Sequence, residues 1–206
     1  MGDCCNNSSD LELLRDRQSG TLKAVFAINA VMFVVVVTAA LYASSAALLS
    51  DSLDNLGDAL TYALSLWAVY LGAQAKARVA FFKGLLILLA AVVVIGQIVY
   101  KLLNPSVPVF ELMGIFSLVA LAANSLCLGL LWRHRAEDVN MSSVWECSRN
   151  DIAANLSVFV AAAGVWATGS GWPDLVVASC LAILFLRSAI RVLSSARAEM
   201  QATGQA

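Results

Sequence analysis

Charge is scarce in this chain. Only 13% of its 206 residues are Asp, Glu, Lys or Arg and 60% are hydrophobic, whereas a soluble domain carries about 25% charged residues. That shortage excludes an ordinary water-soluble fold. Proline is also rare: Pro105, Pro108 and Pro173 fall in LLNPSVPVFE and GSGWPD. All three lie between apolar runs, which is turn chemistry rather than helix interior. There is one histidine, His134, which rules out a histidine-rich metal-binding loop. No glycine-rich phosphate loop occurs, so nothing points to nucleotide binding, and no nucleic-acid partner is expected. A cleavable leader is not expected either, because the first apolar run follows about 20 polar residues and is too long for a signal peptide.

What the chain does contain is six stretches long enough to cross the hydrocarbon, which takes about 20 residues as a helix. They cover about 22–42, 45–72, 82–103, 109–132, 141–168 and 174–194. The expected fold is therefore an all-α membrane protein with six transmembrane helices. Residues 1–21 are expected to form a polar cytoplasmic segment, residues 22–194 a six-helix transmembrane domain, and residues 195–206 a short cytoplasmic tail with no soluble domain after it. Basic residues orient the spans. With the amino terminus in the cytoplasm, the inner segments collect Arg15, Arg17, Lys23, Lys76, Arg78, Lys83, Arg133, Arg135, Arg187, Arg191 and Arg197, and the outer loops hold only Lys101. This asymmetry is the positive-inside pattern. It puts both termini in the cytoplasm, with a bacterial inner membrane as the expected location.

Against this apolar background, DSLDNLGDAL (51–60) places three aspartates at i, i+3 and i+7, a spacing that shares one helical face. An acidic residue inside a membrane costs about 2.5–3.5 kcal/mol on insertion scales, so Asp51, Asp54, Asp58 and Asp151 need something that offsets it. Protonation, Arg149, water in a cavity or a bound cation could each do so. In ECSRNDIAAN, Cys147 and Asp151 are spaced i, i+4 on the fifth span, which is antiparallel to the second. Asp58 and Cys147 are the cytoplasmic members of their pairs, and Asp54 and Asp151 lie about 6 Å further out, at ~1.5 Å per residue. Two such pairs face to face present three carboxylates and one sulfur, a donor set suited to a four-coordinate divalent metal.

At these residues the chain resembles the cation diffusion facilitator family of metal/proton antiporters. The family presents two metal ligands at i, i+4 on both its second and fifth helices, and DNLGD (54–58) and CSRND (147–151) match that pattern. SAALLSDSLDNLGDAL resembles the second span, with Asp51 on its frequent upstream aspartate. TGSGWPDL followed by LFLRSAIRVL resembles the last turn and sixth span, and the likeness covers roughly residues 21–194. The resemblance implies a transporter rather than an enzyme, with no cofactor, a divalent metal as cargo, protons as counter-ions and a homodimer in the lipid bilayer. The chain departs from the family in four ways: Cys147 stands at the usual histidine, the histidine-rich loop and the carboxy-terminal metal-sensing domain are missing, and Val34 to Val37 hold no acid. The short, tail-less branch of the family fits best.

The expected function is proton-coupled efflux of a divalent transition metal, with Asp54, Asp58, Cys147 and Asp151 as ligands. Zinc is the first choice, as the family's commonest substrate. The thiolate also admits cadmium, lead or mercury, with iron, cobalt and nickel still open. Asp51, Asn155, Arg149, Cys4, Cys5 and His134 are accessory candidates. Asp51 is either an exit-path acid or a helix-start residue, Arg149 a partner for Asp51, Glu146 or an empty site, and His134 a boundary charge or a funnel ligand. Cys4 and Cys5, in a segment expected to be disordered, are metal-passing thiols or incidental ones. Cys127 and Cys180 read as packing residues, and Asn29, Asn124 and Asn155 as hydrogen-bonding glue between helices. Two other functions fit the composition: a proton-coupled carrier of an organic cation, with Tyr62 and Trp145 as aromatic walls, and a non-transporting membrane adaptor.

Overall fold

A backbone in hydrocarbon must satisfy its own hydrogen bonds, and a chain dominated by Ala, Leu and Val does so as helices. The computed structural model describes residues 4–68, 73–132 and 139–203, with side chains described for 19–63, 78, 80–132, 149–198, 200 and 201. Its helices are α1 (Cys4–Ala43), α2 (Ala46–Ala68), α3 (Ala73–Leu103), α4 (Phe110–Trp132), α5 (Val139–Thr168) and α6 (Trp172–Thr203). Five of them are long and apolar enough to span a membrane, and α2, with its three aspartates, falls outside that set. Helix α1 begins at Cys4, within the segment expected to be disordered, and α6 continues as far as Thr203.

Three antiparallel pairs organise the bundle: α1 with α2, α4 with α5, and α3 with α6. Helix α2 also packs on α3, α5 and α6, so its polar residues face protein on several sides. The α3–α6 contact is close at Gly84, where a Cβ would stand 2.8 Å from the Leu193 side chain and 3.3 Å from its backbone nitrogen. Beyond it Arg197 of α6 lies over the Phe81 ring of α3, 5.6 Å from the centroid, a cation–π contact. At the end opposite the termini, α5 stops at Gly169 (φ +61), whose N–H bonds Val165 O at 2.8 Å, a left-handed cap that glycine adopts without Cβ strain. Gly171 then brings the α5–α6 turn against Ser106 O, so two connections touch at this end.

Buried apolar side chains form two clusters. The larger lies toward the end opposite the termini and joins Met32, Val36, Met113, Val158, Val165 and Leu181 with their neighbours. The smaller, toward the termini end, contains Leu22, Val25, Tyr62, Cys127 and Leu131. On every helix that contributes to both, buried polar residues lie between: Asn29 on α1, Asp51, Asn55 and Asp58 on α2, and Asn124 on α4. Asp151 and Asn155 of α5 lie at the same level. A buried polar layer thus crosses the middle of the bundle between two apolar clusters.

Candidate metal centre

The polar layer is centred on α2. Its buried face is Asp51, Asn55, Asp58 and Tyr62, a stripe at i, i+4, i+7 and i+11. Asp54 sits on the shoulder of that stripe and is half-buried. Side chains on the stripe are tied down from within: Asn55 Nδ2 donates to Asp51 O at 2.9 Å, and Tyr62 Oη donates to Asp58 Oδ2 at 3.5 Å. Asp51 Oδ2 and Asn55 Oδ1 have no hydrogen-bond partner although buried. Such orphaned oxygens cost about 1–3 kcal/mol each and call for an explanation.

Helix α5 supplies the other wall. Asp151 is 8% exposed, as is Asp58, and the two carboxyl groups lie within hydrogen-bonding reach of each other. Asp54 lies within electrostatic reach of both Asp58 and Asp51, and Lys83 of α3 within reach of Asp58. One turn along, Asn155 donates from Nδ2 to Asp151 O at 2.6 Å and leaves its buried Oδ1 without a partner. Among the described residues, no three His, Cys, Asp or Glu side chains converge as a group able to hold a metal ion. The Cys147 side chain lies outside the described ones. Its backbone is one helical turn from Asp151 on α5.

A second polar cluster holds α2 in place and has no counterpart among the sequence-based candidates. Ser45 caps α2, accepting from Leu48 N at 3.0 Å, and Ser45 O accepts from Leu49 N at 3.2 Å. The two remaining N–H groups of that turn, Ala46 N and Ala47 N, donate to Asp174 Oδ2 and Oδ1 at 2.9 and 3.0 Å, and Ser45 Oγ donates to Oδ1 at 2.6 Å. Every amide of the first turn thus has an acceptor, as a buried helix start demands. Lys101, at the last turn of α3, closes the cluster with a 3.2 Å ion pair to Asp174 and a hydrogen bond to Ser44 O. Lys101 and Asp174 are 4% and 0% exposed. Ser44 itself is left-handed (φ 50), the conformation that ends α1. This clamp ties the α1–α2 turn to α3 and α6 and sets the height of the α2 aspartates. In the sequence its only traces are the lone outer lysine and the acid after Pro173.

The remaining candidates scatter. Arg149 is exposed, as is Cys180. Cys4, Cys5, His134, Trp145 and Glu146 have side chains outside the described ones. Of the asparagines expected to join helices, Asn29 does so, donating from Nδ2 to Cys127 Sγ at 3.9 Å across α1 and α4, whereas Asn155 bonds its own helix. Asn55, Lys83 and Cys127 are site neighbours that sequence reading passed over. Asn55 carried a signal, since it stands four residues from Asp51, the same i, i+4 relation used to single out Cys147 and Asp151.

No curated protein sequence is significantly similar to the chain. The family model described as the cation efflux transmembrane domain matches residues 22–200. The match spans α2 and α5 with all their buried aspartates and runs from the first span into the last, and so the chain belongs to the cation efflux family, the cation diffusion facilitators.

Proposed function

We propose that this cation efflux transporter exports a divalent transition metal, zinc foremost, from the cytoplasm in exchange for protons. The observation that carries the reading is the Asp58–Asp151 pair, two buried carboxyl groups within hydrogen-bonding reach of each other across α2 and α5, between two apolar clusters. In the proposed site Asp54, Asp58, Cys147 and Asp151 are the ligands. A metal requires them deprotonated, so its arrival releases protons from the ligands, and protonation from the other side expels the metal. Asp51, with Asn55 and Asn155, continues the polar layer outward as an exit path. Both termini are cytoplasmic in this reading, and the large apolar cluster is the outer seal. Lys83 compensates charge when the site is empty.

The test is transport in proteoliposomes holding a pH dye and a metal dye. Asp58→Ala and Asp151→Ala should each abolish coupled metal and proton flux while the proteins remain folded, because each removes one of the proposed ligands. Normal rates in either variant would refute the site.

A further inference from the structure

An ion leaving the Asp58–Asp151 pair for the end opposite the termini has to cross the larger apolar cluster. Ala46, Ala47 and Leu48 of α2, Val158 and Ala161 of α5 and Ala178 of α6 belong to it, each no more than 2% exposed. Most of these are alanines, and a methyl group has no rotamer that could swing aside. A passage here therefore opens by moving a helix, not a side chain.

The start of α2 is gripped from outside. Ser45 Oγ, Ala46 N and Ala47 N donate to the Asp174 carboxylate at 2.6, 2.9 and 3.0 Å, and the Lys101 ammonium donates to Ser44 O. All of these bonds run from the α3–α6 pair to the α1–α2 turn. The two charges sit on one side of that boundary: Lys101 is in the last turn of α3, Asp174 in the first turn of α6, and they pair with each other at 3.2 Å. Toward the termini the same two helices are held close at Gly84 and Leu193. Parting the α1–α2 turn from this pair thus leaves no charge alone, and isolating a charge is the costly way to break such a cluster. Nor does α2 lose its cap. Ser45 Oγ accepts from Leu48 N at 3.0 Å and Ser45 O from Leu49 N at 3.2 Å, both within the segment that would move. Ser44 O, the Ser45 hydroxyl, Ala46 N and Ala47 N would exchange protein partners for water, which changes the free energy only modestly.

We infer that Asp174 and Lys101 form a latch on the gate at this end of the bundle. Closed, it holds the start of α2 on the α3–α6 pair and keeps the alanine-rich seal shut. Released at the α1–α2 turn, it lets the start of α2 move off α5 and α6 and opens a path past Val158 to the polar layer. The use of this opening for metal release rests on the reading under Proposed function; the opening itself does not.

Two reporters test the latch in the full-length chain. Val158 is 0% exposed and stands at i+7 from Asp151, on the same face of α5, so Val158→Cys reports on the path. Val25, also 0% exposed, lies in the other apolar cluster, so Val25→Cys reports on general loosening. The purified proteins are treated with a charged methanethiosulfonate reagent, and the labelling rate at each reporter is read by mass spectrometry. Lys101→Met removes the bond to Ser44 O and leaves the Asp174 charge buried without its cation only while the gate is shut. It should raise the rate at position 158 by about tenfold, the shift expected from losing one hydrogen bond to a charged group, and leave position 25 unchanged. If Lys101→Met does not fold, Ser45→Ala, which weakens the grip and keeps the Lys101–Asp174 pair whole, gives the same comparison. An unchanged rate at position 158 overturns the latch, and so does a parallel rise at position 25, which would make the cluster a support for the whole fold. A chain that carries no divalent ion in proteoliposomes, yet shows the rise at position 158 alone, keeps the latch and overturns the transport reading instead.

Discussion

Replacing Asp174 by alanine should be among the most damaging single changes in this protein, although the residue lies far from the proposed metal ligands. The substitution strips the acceptor from Ala46 N, Ala47 N, Ser45 Oγ and the Lys101 ammonium together. Removing one partner of a buried ion pair costs about 3–5 kcal/mol, and each buried backbone N–H left unpaired adds about 1–3 kcal/mol. Together the pair and the two amides come to roughly 5–11 kcal/mol before relaxation, against a whole-domain stability of about 5–15 kcal/mol. Lys101→Met should be milder, about 3 kcal/mol at the low end of that ion-pair range, because Asp174 keeps three donors. In an Asp174→Asn background, Lys101→Met should cost less again, since the carboxylate that paired with it is gone, and the difference measures the coupling. Thermal unfolding of the purified variants in one detergent is the assay. At about 2–4 °C per kcal/mol, Asp174→Ala should melt roughly 10 °C or more below the parent. A melting point within about 3 °C of the parent would refute the argument that the clamp holds the start of α2.

Gly84→Ala tests the α3–α6 contact. The new methyl must displace Leu193, whose backbone nitrogen also stands close by, so about 1–3 kcal/mol of stability should be lost, visible in the same melts; a neutral result would mean the helices part easily. For Cys147→His, metal transport should persist while the preference moves from cadmium toward zinc, as a borderline nitrogen replaces a soft sulfur. Cys147→Ser should transport poorly, and identical cadmium-to-zinc ratios in all three proteins would remove Cys147 from the site. Orientation is tested by cysteine labelling: Ser106→Cys should react with an impermeant reagent from outside intact cells and Gln201→Cys should not, and the reverse pattern would invert the proposed direction of export.

Six helices and the acidic second span are legible in the sequence because hydropathy and charge act locally: a run of apolar residues forms a helix in the membrane whatever its neighbours do. Turn chemistry is local as well, and the prolines of LLNPSVPVFE and GSGWPD mark breaks close to where α3 and α5 end. Local rules do not specify how far a helix is rotated about its own axis. One residue is a turn of about 100°, so the same spacing admits a stripe through Asp54 and Asp58 or one through Asp51, Asn55 and Asp58. Packing of α2 against α1, α3, α5 and α6 buries the second and leaves Asp54 half-buried on its shoulder. Contacts between distant segments are equally silent in the sequence. Nothing near Cys127 announces Asn29, 98 residues away, and nothing near Ser45 announces Asp174, 129 residues on. Each pair exists because a buried polar group must find a partner among whatever the fold places beside it, and only the tertiary structure determines which residues those are.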